Sequence, residues 1–221
     1  MALCTTRQVN GEFSHVFCTR LIANDCLVSL ASGERTYLFP LFSEPDQDAL
    51  LQSGEREPNL ARDFLAELRE RLGGPAPTNE AQREELKPKD VLFYAYALFY
   101  SPTYRRRYAE FLTIDFPRLL FPCSADLFGD LARVGGKLVA HHLLESPEVE
   151  HHITTYDGPK EPKVGRVGWS NETIWLDATG TKGGGHATPG TSGFHGVTEA
   201  VWNFRIGSYQ VCHKWLALFW R

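Results

Sequence analysis

The stretch Lys87–Pro122 (KPKDVLFYAYALFYSPTYRRRYAEFLTIDFPRLLFP) constrains this chain more than any other. From Val91 to Tyr100 it is apolar nearly all round, through Leu92, Phe93, Tyr96, Leu98, Phe99 and Tyr100, so it predicts a buried helix capped by Asp90. Ser101-Pro102 restarts the chain: Ser at an N-cap takes an orphan N–H, and Pro at N1 has none to lose. The second predicted helix runs from Thr103 to Leu112, with Tyr104, Tyr108, Phe111 and Leu112 on one inward side and Arg105, Arg106 and Arg107 between them. Phe116-Pro117 ends it, because a residue before Pro is pushed towards extended geometry. Leu119-Leu120-Phe121 then reads as a short buried strand closed by Pro122.

The flanks differ in character. Before the central stretch, Phe13–Ile22, Asp25–Ser29 and Thr36–Phe42 read as strands, with turns at Asn10-Gly11 and Ser32-Gly33 and with Pro40 at a strand end or edge. Residues 43–89 read as a polar spacer around one helix, in which Leu60, Phe64, Leu65, Leu68 and Leu72 share a face, Asn59 is the cap and Gly73-Gly74 the stop. After it, Ser124 caps a helix whose stripe Leu127, Leu131, Val134 and Leu138 predicts a buried face. Gly135-Gly136 inside it implies either a break or a closely packed backbone. The C-terminal part turns strand-like at His151–Tyr156, Lys163–Trp169 and Thr173–Asp177. A Gly/Thr-rich loop follows over Ala178–Gly196, then a strand at Val197–Phe204 and a helix at Tyr209–Leu218. The expected architecture is one mixed α+β domain over residues 1–221, an irregular and mostly antiparallel β part with a flanking group of helices.

With 221 residues, 43% of them hydrophobic, the chain can fill a substantial core. Its net charge of −4 excludes a generic polyanion binder, so any nucleic-acid contact must use a local patch. Five scattered Cys with no C-x-x-C pair read as reduced thiols. No apolar leader or membrane-length run is visible, and the expected location is the cytoplasm.

Catalytic patterns are weak. Adjacent His141-His142 and His151-His152 point about 100° apart on a helix and poorly serve one metal ion. Asp157…Glu161-Pro162-Lys163 mimics the D…E-x-K pattern of metal-dependent nucleases, but its prolines make a turn where converging strands are needed. Gly183-Gly184-Gly185 lacks the phosphate-loop context. There is no G-x-S-x-G elbow and no Asn/Asp-Pro-Pro-Tyr/Phe run, so the chain is not itself an adenine methyltransferase. The expectation is no catalytic residue, no metal and no cofactor.

Binding chemistry is better represented. Arg7, Gln8, Arg166, Ser170, Asn171, Lys182 and His186 are hydrogen-bonding side chains in predicted loops and turns. Arg with guanine, and Asn or Gln with adenine, are natural bidentate pairs in the major groove. Arg106 and Arg107 can touch phosphate, since three consecutive helix positions fan out through about 200° and at most two serve one face. Arg105 leans to a structural role. The bland reading of Arg105–Arg107 is a solvated helix side with one Arg paired to Glu110 or Asp115.

The run Asp90, Tyr94–Leu98, Ser101-Pro102, Tyr104-Arg105, Tyr108 and Phe116-Pro117-Arg118 resembles the C-terminal target-recognition region of Type ISP single-chain restriction–modification enzymes. The likeness continues, in order, through Thr6-Arg7-Gln8 with Phe13–Phe17, Tyr37–Leu41, Arg56…Asn59, Gly136, Leu138 and His142–Leu144, Val201–Gly207, Tyr209–Val211 and Lys214–Leu216. It implies a non-catalytic module that recognises double-stranded DNA, partnered by the methyltransferase and helicase/nuclease domains of the same system. It also implies truncation at both ends, because the family's region begins before Met1 and continues past Arg221. The alternatives are an interaction or remnant domain without DNA binding and, third, a metal-dependent nuclease.

Overall fold

A computed structural model describes residues 1–14, 16–27, 33–43, 56–73, 86–179, 187–206 and 209–219. The fold is mixed α+β, as the sequence leads one to expect. It divides into two compact units, residues 1–146 and 147–221.

The first unit is built on a three-stranded antiparallel sheet of order β2-β1-β3, with β1 at Ala2–Thr6, β2 at Val16–Thr19 and β3 at Thr36–Pro40. Leu3 faces Cys18 on one side and Phe39 on the other. The central strand β1 is one the sequence hides: Thr5 and Thr6 look like surface residues but are buried. Pro40 does end an edge strand, where its missing N–H costs no ladder bond. No strand forms at residues 25–27, and 28–29 lie outside the described residues. A two-residue pairing joins β4 (Phe42–Ser43) to β5 (Glu57–Pro58). Helix α1 spans Arg62–Arg71 and stops at Gly73, whose φ is +77°. Its cap is Ala61 rather than Asn59, whose amide instead donates to the Pro40 carbonyl at 3.0 Å.

Helix α2 (Pro88–Tyr100) starts earlier than expected because Pro88 takes the N1 position, leaving Asp90 in the first turn rather than at the cap. Ser101 does cap the next helix, accepting from the Tyr104 N–H. That helix breaks at Tyr108 into α3 (Pro102–Arg107) and α4 (Ala109–Ile114), and Phe111 faces solvent. The tyrosines stitch the unit together. A buried phenol needs a partner, and Tyr94 donates to the Leu120 carbonyl at 2.9 Å, Tyr104 to Arg118 at 2.8 Å and Tyr100 to Val16 at 2.6 Å. Those bonds occupy the carbonyls of residues 118 and 120. The segment 119–121 is accordingly irregular, not the strand the sequence suggests.

Helix α5 (Ala125–His142) is capped by Ser124, which accepts from the Leu127 N–H at 3.2 Å. Its buried stripe is Phe128, Ala132, Gly135 and Val139, one residue on from the expected Leu127, Leu131, Val134 and Leu138. One residue is a rotation of about 100°, and Leu127 and Val134 are well exposed. The rotation follows from Gly135: a Cβ there would lie 1.9 Å from the Phe93 carbonyl oxygen. Bare backbone is what lets α5 close on α2.

The second unit holds a four-stranded antiparallel sheet of order β6-β9-β8-β7: β6 is Thr155–Asp157, β7 Gly168–Ser170, β8 Thr173–Trp175 and β9 Gly193–His195. Strand β9 lies inside the run read as loop. A tight turn at Asn171-Glu172, with φ of +51° and +53°, joins β7 to β8. Val164, Val167, Ile174, Leu176, Val197 and Leu216 form the core. The expected strand at Val197–Phe204 is instead a short helix, α6 (Glu199–Trp202), begun at Thr198. The β10–β11 pairing (Arg205–Ile206, Tyr209–Gln210) leads into α7 (Val211–Ala217), which Gln210 caps. Among the described residues no helix is long and apolar enough to cross a membrane.

Candidate nucleic-acid interface

Chain exit from β1 creates the best-built polar site. Val9 is buried, and its N–H donates to the Thr113 carbonyl at 3.2 Å, pinning the segment against α4. Arg7 and Gln8 are thereby held at the surface. The Arg7 Nε donates to Asp115 Oδ1 at 3.0 Å. Asp115 sits below the ordinary carboxylate range because the Phe116 N–H and Arg7 both hydrogen-bond its charged form. The Arg7 guanidinium lies 6.0 Å from the Phe116 ring centre, and Tyr37 and Phe39 meet that ring edge-on at 4.9 and 5.6 Å. Across from it, buried Glu34 accepts from the Asn10 N–H at 2.7 Å. Arg7, Gln8, Asn10, Arg35 and Tyr37 line a cleft of about 330 Å³. The sequence pointed to Arg7 and Gln8 but missed Asn10 and Arg35, whose approach depends on β1–β3 pairing.

The Arg105–Arg107 run splits as its geometry requires. Arg105 turns inward: Nε donates to the Phe99 carbonyl at 2.7 Å, the guanidinium lies 4.6 Å from the Tyr100 ring, and burial lowers its pKa. Arg106 and Arg107 are exposed, and Arg107 lies 5.9 Å from the Tyr108 ring. Of the two carboxylates expected to pair with this run, Glu110 and Asp115, the second is taken by Arg7. Arg106 and Arg107 do not line the Arg7 cleft.

In the second unit, Arg166 is exposed, and its carbonyl accepts from Ala178 at 2.8 Å. Asn171 projects from the exposed β7–β8 turn. Ser170 is different from its sequence reading as a turn side chain. It lies in β7, is buried, and its hydroxyl accepts from the Trp175 indole N–H at 3.0 Å. Lys182 and His186 lie outside the described residues. A second cleft, about 480 Å³ and not anticipated, gathers Asn203, Arg205, Tyr209, His213 and Lys214 beside Trp202. Gln210 ties its walls, donating to the Trp202 carbonyl and accepting from the His213 N–H. One signal for it was in the sequence: no Asp or Glu occurs after Glu199.

His142 lies 2.6 Å from the Tyr96 hydroxyl through Nδ1, and its pKa is lowered by burial and by His141. Asp157, on β6, lies 3.8 Å from His195. Among the described residues no group of three or more His, Cys, Asp or Glu is placed to hold a metal ion.

Residues 1–218 match the Type ISP C-terminal specificity domain. The chain belongs to that family. Two solved structures share its fold. One is the cryo-electron microscopy structure of a DrdV–DNA complex (TM-score 0.67, 18% identity over 98% of this chain). The other is LlaBIII, an ATP-dependent Type ISP restriction–modification enzyme bound to DNA (TM-score 0.58, 14% identity over 97%). The chain spans 20% and 12% of those two proteins. No curated protein matches it.

Proposed function

We propose that this Type ISP specificity domain is the double-stranded DNA target-recognition module of a restriction–modification system of bacterial defence. Its role is non-catalytic and cytoplasmic, and it works with methyltransferase and helicase/nuclease domains of the same system. The observation that carries the reading is the family match over residues 1–218. The surface chemistry is consistent with it. Recognition of this kind divides into phosphate contacts that set register and base contacts that specify. Exposed Arg106 and Arg107 suit the first task; Arg7, Gln8, Arg166 and Asn171 suit the second. Ser170, whose hydroxyl is committed to Trp175, braces the Asn171 turn instead of reading bases. Lys182 and His186 remain DNA-contact proposals on their side-chain chemistry alone.

The test is a salt titration of duplex binding by fluorescence anisotropy. Log affinity falls linearly with log salt at a slope of about −0.9 per phosphate contacted. Binding that ignores salt, or no binding to any duplex, would contradict the proposal.

A further inference from the structure

The geometry points to the Arg7 cleft as a guanine-reading site in which Arg7 supplies the fork and Asp115 is its positioning residue. This rests on the DNA-recognition reading above and deepens it. A guanidinium offers five N–H donors in a rigid plane, and bidentate reading of guanine O6 and N7 uses two of them. Which two remain available depends on what holds the rest. Here Asp115 takes Nε at 3.0 Å, and the two terminal nitrogens have no hydrogen-bond partner among the described residues.

Phe116, whose ring centre lies 6.0 Å from the guanidinium, is wedged edge-on by Tyr37 and Phe39, so the fork has a braced aromatic neighbour as well as an anchor at its elbow. Both supports cut the rotamer freedom a long side chain would otherwise lose on binding. The pair is solvent-accessible on both sides, with side chains 59% and 46% exposed. An ion pair this exposed contributes little to folding, which leaves positioning as the role that explains so many supports. A fork held only for phosphate needs no such aim, because phosphate accepts from many directions.

The experiment starts from the duplex that the full chain selects out of a random pool. Each guanine is replaced in turn by 7-deazaguanine, which keeps Watson–Crick pairing and removes the N7 acceptor. At one position wild type should lose roughly tenfold to a hundredfold in affinity. Arg7→Ala should lose a similar factor on the unmodified duplex and become indifferent to the replacement there. Arg7→Lys, which keeps charge without the fork, should lose most of the discrimination. Asp115→Asn, which weakens the hold on Nε, should blunt discrimination at that one position and leave the salt slope unchanged.

Two results would overturn the inference while leaving DNA recognition intact. One is an Arg7→Ala chain that still discriminates at every guanine. The other is a uniform affinity loss with the slope shallower by about 0.9, the mark of a phosphate contact. Failure of wild type to bind any duplex would remove the recognition reading and this inference together.

Discussion

Replacing Gly135 by Ala tests how the first unit is held together. Alanine is the better helix former by about 1 kcal/mol, so propensity alone predicts stabilisation. Packing predicts the opposite. The new Cβ would meet the Phe93 carbonyl oxygen at 1.9 Å and its carbon at 2.7 Å, and both are backbone atoms that no rotamer change can move. Restoring even a 3.0 Å contact shifts α5 from α2 by about 1 Å, a gap that forfeits roughly a quarter to a half of each dispersion contact along the seam. Overpacking of this kind costs about 1–3 kcal/mol. Gly129, in the same helix, is the control: nothing lies within 4 Å of its Cβ position. We expect Gly129→Ala to gain about 0.5–1 kcal/mol and Gly135→Ala to lose up to about 2 kcal/mol net. In urea denaturation, read by tyrosine and tryptophan fluorescence, the two midpoints should move in opposite directions from wild type. A Gly135→Ala chain as stable as Gly129→Ala would refute the close α2–α5 packing.

Other outcomes follow from single contacts. Burial holds His142 below its ordinary pKa, so below about pH 6.5 the unfolded chain takes a proton that the native one resists. Stability should therefore be full above that pH and fall as pH drops towards the folded value. His142→Gln, which keeps an acceptor for Tyr96, should show a flatter fall in urea midpoints between pH 7.5 and 5. Glu172→Gly should raise the melting temperature, since both turn residues have positive φ and glycine relieves about 1 kcal/mol of strain at the second. Arg106→Ala with Arg107→Ala should weaken all duplexes alike and make the salt slope shallower by up to about 1.8, without changing the preferred sequence.

Legibility of the fold tracked how local each determinant is. Ser101 and Ser124 were readable as caps because the bond each makes lies within three residues. Periodicity places the stripe of α5 one position off because it counts large apolar side chains, whereas the buried stripe includes Ala132 and Gly135 and the close approach to α2 is made at Gly135. β1 and β9 were missed because Thr5, Thr6 and Gly193 gain their burial from partner strands far along the chain. The site divides the same way. Residue type alone nominated Arg7, yet what aims it, Asp115, is distant in sequence and met only through the fold. Ser170 was nominated by its neighbours' polarity and lost to an indole across the hairpin.

Selection from a fully random duplex pool, at moderate salt and with no other domain present, addresses DNA target recognition most directly. The account predicts enrichment of one sequence, bound well above a scrambled duplex of equal length. A pool that stays random, with no duplex retained as salt is lowered, would contradict it.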